Sequence, residues 1–505
     1  MRKRALWIAG LLLAAAVASC GEAAPAEPAS TDPVSREEPS SEKESSSDPE
    51  PETEAQSEDG DWKSSVVYTV YPEPDIPADL DLSGKTFRMS ATGWVERFIV
   101  ESLNGEIIND TIYNRNLQME DHFGVKFEVI DTGIDTTGNL NAIVSSGLQE
   151  FDMVYCCGDS VTGLITRGFC LDFCSLPYID FSDEFWFPDL IEQFSCYGKV
   201  FLSPSDLSVD MLGAMVVAFF NKRIVAENDL ENPYQMVYGN TWTLENFLAM
   251  VRQISGDLNG DGVMNEHDLY GIGTFDGDID GTFITLAFGS NMKITAPNPD
   301  GSLSFAMDGE MIQSLIDRTA PVLKDGSVAF DLRALEAATG QSSQLFIQGQ
   351  LLFELRFMRW IQEDLRDMED DYGILPVPKY DEAQENYHHR ACCLGNFFCV
   401  PSTAPDPEKT GAVFSYLSWL SSQTYLPAYY EVTLKQKRTR DEDSAKMLDL
   451  IRRTTYYDFG DVWTNVRNYI AMSFEAGSYE RVVAANMKKW NKELKKIQDK
   501  LRDLE

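Results

Sequence analysis

The stretch Phe151-Asp-Met-Val-Tyr-Cys156 is apolar at most positions and runs into the polar segment Gly158–Ser160. A short apolar run bounded by turn residues predicts a buried strand. Two comparable stretches precede it, Thr86-Phe-Arg-Met-Ser-Ala91 and the alternating Val125-Lys-Phe-Glu-Val-Ile130, and segments with helical spacing lie between the three. A β-α-β-α-β rhythm predicts a parallel sheet covered by helices on both faces. We therefore predict an α/β fold.

The loops after these strands contain candidate binding residues. In open α/β sheets, ligands bind beyond the carboxyl ends of the strands. Trp94 and Glu96 follow the first strand, and Asp159 and Ser160 follow the third. An aromatic face beside planar polar groups suits a sugar ring, which needs both stacking and hydroxyl partners. We predict that these residues contact a ligand.

Other candidates lie further along the chain. Asp210 precedes a predicted crossing strand. Arg356 and Trp360 follow the apolar segment Leu351–Leu355, and Trp463 follows a Tyr-rich loop. We include all four in the predicted ligand site. Core packing is the alternative for each aromatic residue, and a solvated surface position is the alternative for each charged one.

The segment Asp257–Asp268 has the spacing of a calcium loop. Oxygen-bearing side chains stand at the first, third, fifth, ninth and twelfth positions, and glycine stands at the sixth, where the backbone must turn. Aspartate replaces the usual glutamate at the twelfth position, which predicts modest affinity. The alternative is a plain Asn-Gly/Asp-Gly turn. The predicted Ca²⁺ ligands are Asp257, Asn259, Asp261, Val263 through its carbonyl, Asn265 and Asp268.

The composition limits the possible partners. The chain has 505 residues and an apolar fraction of 43%, which is enough for a large folded core. Its net charge of −39 argues against nucleic acid as a partner, since phosphate would be repelled. A neutral sugar suits this charge better than a polyanion does.

The N-terminus predicts export and lipidation. Three basic residues precede the apolar run Ala5–Ala18, which is too short to span a membrane and ends directly before Ser19 and Cys20. We predict a lipoprotein signal peptide over 1–19 and a lipid on Cys20. Segment 20–62 is acidic and poor in apolar residues, which predicts a disordered linker. The folded body then comprises 63–505.

Eight cysteines remain after Cys20, and the sequence leaves open whether they form disulfides or buried thiols. The four histidines include His388 and His389, which we predict to lie in an exposed polar loop. The region from Phe474 to the end is predicted to be helical. Its apolar stripe, which includes Trp490 and Leu494, is expected to dock on the protein's own surface.

Several short segments together resemble the extracellular solute-binding lipoproteins of ABC importers, of the carbohydrate-type family 1 common in gut Firmicutes. The resemblance covers most of residues 85–500. It rests on these segments: Phe220-Asn221-Lys222, Pro233-Tyr234, Trp242-Thr243, Asp257–Asp268, Gly373–Tyr380 and Met447-Leu-Asp449.

This resemblance implies a type II-like clamshell of two α/β lobes, like that of periplasmic binding proteins, with hinge strands crossing near 205–225 and 380–402 and a C-terminal helix. It also implies a carbohydrate ligand held between the lobes, a membrane permease as partner, a lipid anchor on the extracellular face of the cell membrane, and no catalysis. The alternatives are a secreted glycoside hydrolase, or a binding protein for peptides or other small solutes. No G-x-S-x-G or H-E-x-x-H motif occurs in the chain.

Overall fold

The parallel sheet predicted from the sequence is present in the computed structural model of the protein. β1 (Thr86–Ala91) pairs in parallel with β2 (Lys126–Asp131) along its whole length. It also pairs in parallel with β3 (Met153–Cys157). The connecting helices are α1 (Ile107–Phe123) and α2 (Thr136–Ser145). The β-α-β-α-β prediction is confirmed.

The structure describes residues 69–504 except 92, 94, 187, 209–212, 276–280, 340–343, 366–367, 392–395 and 436–441. The predictions for the signal peptide, Cys20 and the acidic linker lie outside the described residues, as do those for Trp94 and Asp210. Within the described part, no helix is both long enough and apolar enough to span a membrane.

The remaining strands are β4 (Val216–Asn221), β5 (Ser255–Gly256), β6 (Leu269–Thr274), β7 (Thr295–Pro297), β8 (Leu303–Phe305), β9 (Ala329–Asp331), β10 (Leu351–Phe357), β11 (Tyr372–Leu375), β12 (His389–Arg390), β13 (Asn396–Cys399) and β14 (Thr455–Tyr456). The further helices are α3 (Gly158–Ile165), α4 (Pro188–Phe194), α5 (Lys222–Glu227), α6 (Pro233–Tyr238), α7 (Leu244–Gln253), α8 (Thr282–Gly289), α9 (Gly309–Leu323), α10 (Leu332–Thr339), α11 (Gln344–Ile347), α12 (Trp360–Glu363), α13 (Pro407–Gln423), α14 (Tyr425–Lys435), α15 (Glu442–Arg453), α16 (Phe459–Trp463), α17 (Val466–Ala476), α18 (Tyr479–Val482) and α19 (Met487–Asp503).

Two larger sheets organise the molecule. The first has the order β13-β3-β1-β2, and β13 returns late in the chain to pair antiparallel with β3. The second has the order β11-β4-β10-β6-β5, with β9 alongside β6. Its inner strand β4 is buried at every position, as expected for an apolar strand paired on both edges.

Isolated bridges join two distant parts of the described chain. Ser203 bridges Phe398 beside the first sheet, and Met215 bridges Ala391 on the way to the second. An apolar core with Phe87, Phe127 and Phe398 packs around the first sheet, and a larger core covers the second. The fold is a two-lobe α/β clamshell of the periplasmic-binding-protein type, as predicted.

Local differences from the prediction have physical reasons. α2 begins at Thr136, because Asp135 caps it by accepting a hydrogen bond from the Gly138 backbone at 2.9 Å. The predicted loop Gly158–Ser160 is instead the first turn of α3. The helical C-terminal region is interrupted at Gly477, whose φ of 66° ends α17.

The C-terminal helix docks on the protein's own surface, as predicted. Leu494 and Leu501 are fully buried. The Gln498 side chain accepts a hydrogen bond from the Leu303 backbone at 2.7 Å and donates one to the Leu303 carbonyl at 2.9 Å. The apolar stripe therefore serves intramolecular packing.

The prediction of an exposed histidine loop is wrong for His389. Its ring is fully buried in β12, where Nε2 accepts a hydrogen bond from the Val377 backbone at 3.2 Å and Nδ1 lies 2.8 Å from Thr454 Oγ1. Burial lowers the pKa of His389 to about 3, so the ring is neutral at ordinary pH. The described cysteines are free thiols, and Cys156 Sγ lies 3.7 Å from Cys399 Sγ.

Candidate functional site

A groove of about 350 Å³ lies between the end of α3 and elements from later in the chain. Thr166 follows α3, which continues from β3 of the first sheet. The other lining residues belong to β8, α16, α19 and the turn before α17. This volume is within the usual range for a small-molecule site. The lining residues are Thr166, Phe305, Trp463, Thr464, Asn465, Trp490, Glu493, Lys496, Ile497 and Lys500.

Asp458 fixes the start of α16, the short helix that carries Trp463. Its carboxylate accepts hydrogen bonds from the backbone of Ile294 at 2.6 Å and from the Thr295 hydroxyl at 2.7 Å. It also caps α16 by accepting a bond from the Gly460 backbone at 2.8 Å. One buried carboxylate thus ties this helix to β7.

Asp461, a residue of the same helix, ties it to two arginines. One carboxylate oxygen lies 2.6 Å from Arg390 Nε and the other lies 2.6 Å from Arg467 Nη1. All three side chains are at least 94% buried. Charge-assisted bonds of this kind in a low-dielectric interior fix geometry strongly. The network links β12 to α16, the helix that lines the groove.

The aromatic walls of the groove come from two helices. Trp463 stacks on Phe459 with ring centroids 5.0 Å apart, and Trp490 of α19 contacts Tyr469 edge-to-face at 4.9 Å. Both tryptophans are more than 90% buried. Within the described structure, neither indole nitrogen has a hydrogen-bond partner. Each indole nitrogen is therefore an unpartnered donor that is closed off from solvent.

The charged wall of the groove is basic. Lys496 and Lys500 stand one helical turn apart on the exposed face of α19 and make no ion pair within the described structure. Glu493 is the acidic lining residue, and its carboxylate lies 3.8 Å from Lys489. The groove therefore presents two unneutralised ammonium groups.

The predicted residues Asp159 and Ser160 lie in the first turn of α3, next to α16. A Cβ placed on Gly158 would lie 3.3 Å from Val462, the residue before Trp463. Ser160 is exposed, and its hydroxyl donates to the Asp159 carboxylate at 3.1 Å. The structure thus brings one predicted pair close to predicted Trp463.

Arg356 and Trp360 form a separate cluster at the end of β10. The Arg356 guanidinium lies 4.0 Å from the Phe275 ring centroid and 5.5 Å from that of Trp360. Trp360 is 4% exposed and packs in an aromatic cluster with Phe219. Most of its surface therefore contributes to the core, and its role as a ligand contact stays a prediction.

Glu354 is a buried carboxylate beneath this cluster. It is fully buried, and neither of its oxygens has a hydrogen-bond partner among the described residues. Arg356 Nε lies 3.5 Å away. Burial raises the pKa of Glu354 to about 8, even though Arg356 acts to lower it. Glu96, the remaining predicted contact, is exposed in a short 3₁₀ turn, Val95–Arg97.

The loop Asp257–Asp268 has oxygen donors of the type that Ca²⁺ prefers. Asp257 accepts hydrogen bonds from the backbones of Gly260 and Gly262 at 2.6 and 2.7 Å. Asp268 is fully buried and accepts from Leu258 and Asn265 at 2.9 and 2.8 Å. Among the described residues, no group of three His, Cys, Asp or Glu side chains is arranged to hold a metal. The donor chemistry fits calcium, and the calcium site stays a prediction.

Comparison with solved structures supports the fold. A sugar transporter protein from Rhizobium etli in an open conformation superposes with a TM-score of 0.53 at 13% identity, covering 83% of this chain and 100% of that one. The GacH receptor of Streptomyces glaucescens, solved unliganded and with acarbose, gives 0.52 at 12% identity, covering 84% and 100%.

A family 1 extracellular solute-binding protein from Bifidobacterium longum subsp. infantis gives a TM-score of 0.51 at 16% identity, covering 81% of this chain and 100% of that chain. No protein-family model matches the chain, and no curated protein matches its sequence. At these identities the likeness defines the fold as that of two-lobe solute-binding proteins.

Sequence reasoning found Trp463 but missed most of the groove. Trp490 was assigned to the packing stripe of the C-terminal helix, where it does lie, yet it also lines the groove. An excess of basic residues could have pointed to Lys496 and Lys500. Their helix α19 has seven basic and three acidic residues, whereas the whole chain has a net charge of −39. Thr166 and Phe305 gave no such signal.

Proposed function

We propose that the protein is the substrate-binding component of an ABC importer, which captures a carbohydrate between its two lobes and delivers it to a membrane permease. The observation that carries this proposal is the groove with two tryptophans in its walls, placed between elements of a two-lobe solute-binding fold. Aromatic faces stack on the C–H faces of sugar rings, and Thr166, Thr464 and Asn465 supply groups that can bond hydroxyls. Binding without catalysis is the proposed activity.

Hinge closure of the two lobes would bring the remaining contacts onto the ligand. The Arg390–Asp461–Arg467 network joins β12 to the helix carrying Trp463. Hinge closure of two lobes around a ligand is a common mode of conformational change in binding proteins. The cluster of Arg356 and Trp360 and the pair Asp159–Ser160 are proposed as further contacts in the closed form.

Anchoring and metal binding are separate parts of the proposal. The basic and apolar N-terminus and Cys20 support a lipid anchor on the extracellular face of the cell membrane. The oxygen-rich loop Asp257–Asp268 supports a structural Ca²⁺ ion. The ion would hold the connection between β5 and β6, away from any chemistry on the ligand.

Titration of the full chain with oligosaccharides and oligopeptides tests the binding function. A saccharide that binds the native state raises the melting temperature, because stability increases by RT ln(1+[L]/Kd). Trp463→Ala should weaken saccharide binding by roughly tenfold to a hundredfold, since one stacking face is lost. Trp419→Phe, in the other core, is the control and should leave binding unchanged. Saccharide cleavage would favour the hydrolase, and binding of peptides alone would contradict the carbohydrate proposal.

A further inference from the structure

We propose that the ligand of the groove is an acidic oligosaccharide whose carboxylate lies against Lys496 and Lys500. This inference rests on the proposed function and goes beyond it by naming the chemical class of the sugar. It departs from the expectation of a neutral sugar, which came from the net charge of the whole chain.

The local charge around the groove differs from the overall charge. α19 has seven basic and three acidic residues, whereas the whole chain has a net charge of −39. Lys495 and Arg502 lie within 3.3 Å of Asp499, so these basic groups are neutralised on the helix. Lys496 and Lys500 have no such carboxylate within the described structure. Two like charges one turn apart repel each other, and an anion placed between them relieves this repulsion.

The groove lining itself has more positive than negative groups, with Lys496 and Lys500 against Glu493. The one carboxylate in the lining, that of Glu493, is near Lys489 on its other side. A ligand with at least one carboxylate suits these lysines better than a neutral sugar does.

The rings of such a ligand would still be recognised as a sugar. Phe305 and the two tryptophans give the groove apolar faces, and Thr464 and Asn465 give groups for hydroxyls. A simple anion such as sulfate would use the lysines but leave the aromatic walls unused. A uronic-acid oligosaccharide uses both parts of the groove.

Calorimetric titration of the full chain with trigalacturonic acid and with neutral galactotriose of the same linkage tests the proposal. We expect the acidic trisaccharide to bind at least tenfold more tightly, with an affinity that falls as salt rises from 50 to 500 mM. The double variant Lys496→Gln/Lys500→Gln should lose roughly tenfold of its affinity for the acidic trisaccharide. Lys492→Gln is the matched control, since Lys492 is an exposed lysine of the same helix that does not line the groove.

Three results would overturn the inference and leave sugar binding intact. One is binding of galactotriose as tight as that of the acid, and another is an unchanged affinity for the acid in the double variant. The third is competition by sodium sulfate with an affinity equal to that of the acidic trisaccharide, which would show a plain anion site. If no saccharide binds at all while an oligopeptide does, the proposed function fails together with the inference.

Discussion

Two clusters of buried charge support the predicted site residues, and they differ in how well they are satisfied. Beneath Trp463, each oxygen of Asp461 meets a guanidinium nitrogen at 2.6 Å, and Asp458 accepts bonds from two neighbouring segments. Beneath Trp360, Glu354 is equally buried but has only a loose ion pair at 3.5 Å and no hydrogen bond in the described structure. A buried charge costs free energy unless close ion pairs and hydrogen bonds compensate it. The first cluster is therefore held firmly in its charged form, whereas Glu354 in the second favours its neutral form.

The largest effect is expected from breaking the satisfied cluster. Asp461→Ala leaves Arg390 and Arg467 buried without their shared carboxylate, which should lower the free energy of unfolding by about 3–5 kcal/mol. Urea denaturation followed by fluorescence measures this. Asp449→Ala is the control, because Asp449 pairs with Arg453 on the surface of α15 and such pairs contribute little. Equal effects of the two substitutions would show that the buried network is not stabilising.

A smaller and pH-dependent effect is expected from the unsatisfied cluster. The pKa of Glu354 is raised to about 8 in the folded protein, so between about pH 4.5 and 8 the folded state retains a proton that the unfolded state releases. Stability from this group is therefore full below that window and falls as pH rises through it. Glu354→Gln should remove this fall, which is about 5 kcal/mol over the whole window at about 1.4 kcal/mol per pKa unit.

Melting temperatures of wild type and Glu354→Gln from pH 5 to pH 8 measure the difference. The two proteins should be most alike at pH 5, and the variant should be the more stable one at pH 8. Glu96→Gln makes the same change at an exposed position and should keep the wild-type pH dependence. Parallel curves for wild type and Glu354→Gln would mean that the buried carboxylate is satisfied in solution.

The smallest effect concerns a third buried carboxylate, Asp268, which is satisfied by backbone N–H groups rather than by cations. If Ca²⁺ binds the loop, removing it with EDTA should lower the melting temperature by roughly 2–5 °C. Added calcium should restore the value, and magnesium should not. Asp257→Ala should abolish the response. An EDTA-insensitive wild type would show that the segment is an ordinary turn.

The parts of the fold that follow from local pattern could be predicted from the sequence. β1 has its predicted bounds, and helices α1 and α2 lie between the three predicted strands. Gly477 was not recognised as a break because its left-handed backbone depends on the turn that follows α17. The burial of His389 comes from pairing with the distant Thr455, which no local pattern contains.

The candidate site was less predictable because its walls come from distant segments. Trp463 could be chosen as a bulky aromatic residue near a loop, but its neighbours Thr166 and Phe305 are brought to it only by packing. Net charge does not describe the groove for a similar reason, since it averages the basic helix α19 with an acidic chain.

The pairing of β13 with β3 has a consequence for how the chain acquires its structure. Cys156 and Cys399 touch across these strands although 243 positions separate them. Until the later strand emerges from synthesis or export, β3 has an open edge that can recruit strands from other molecules. Contacts this distant slow folding, so the first lobe should complete late and depend on helper proteins that shield the nascent chain.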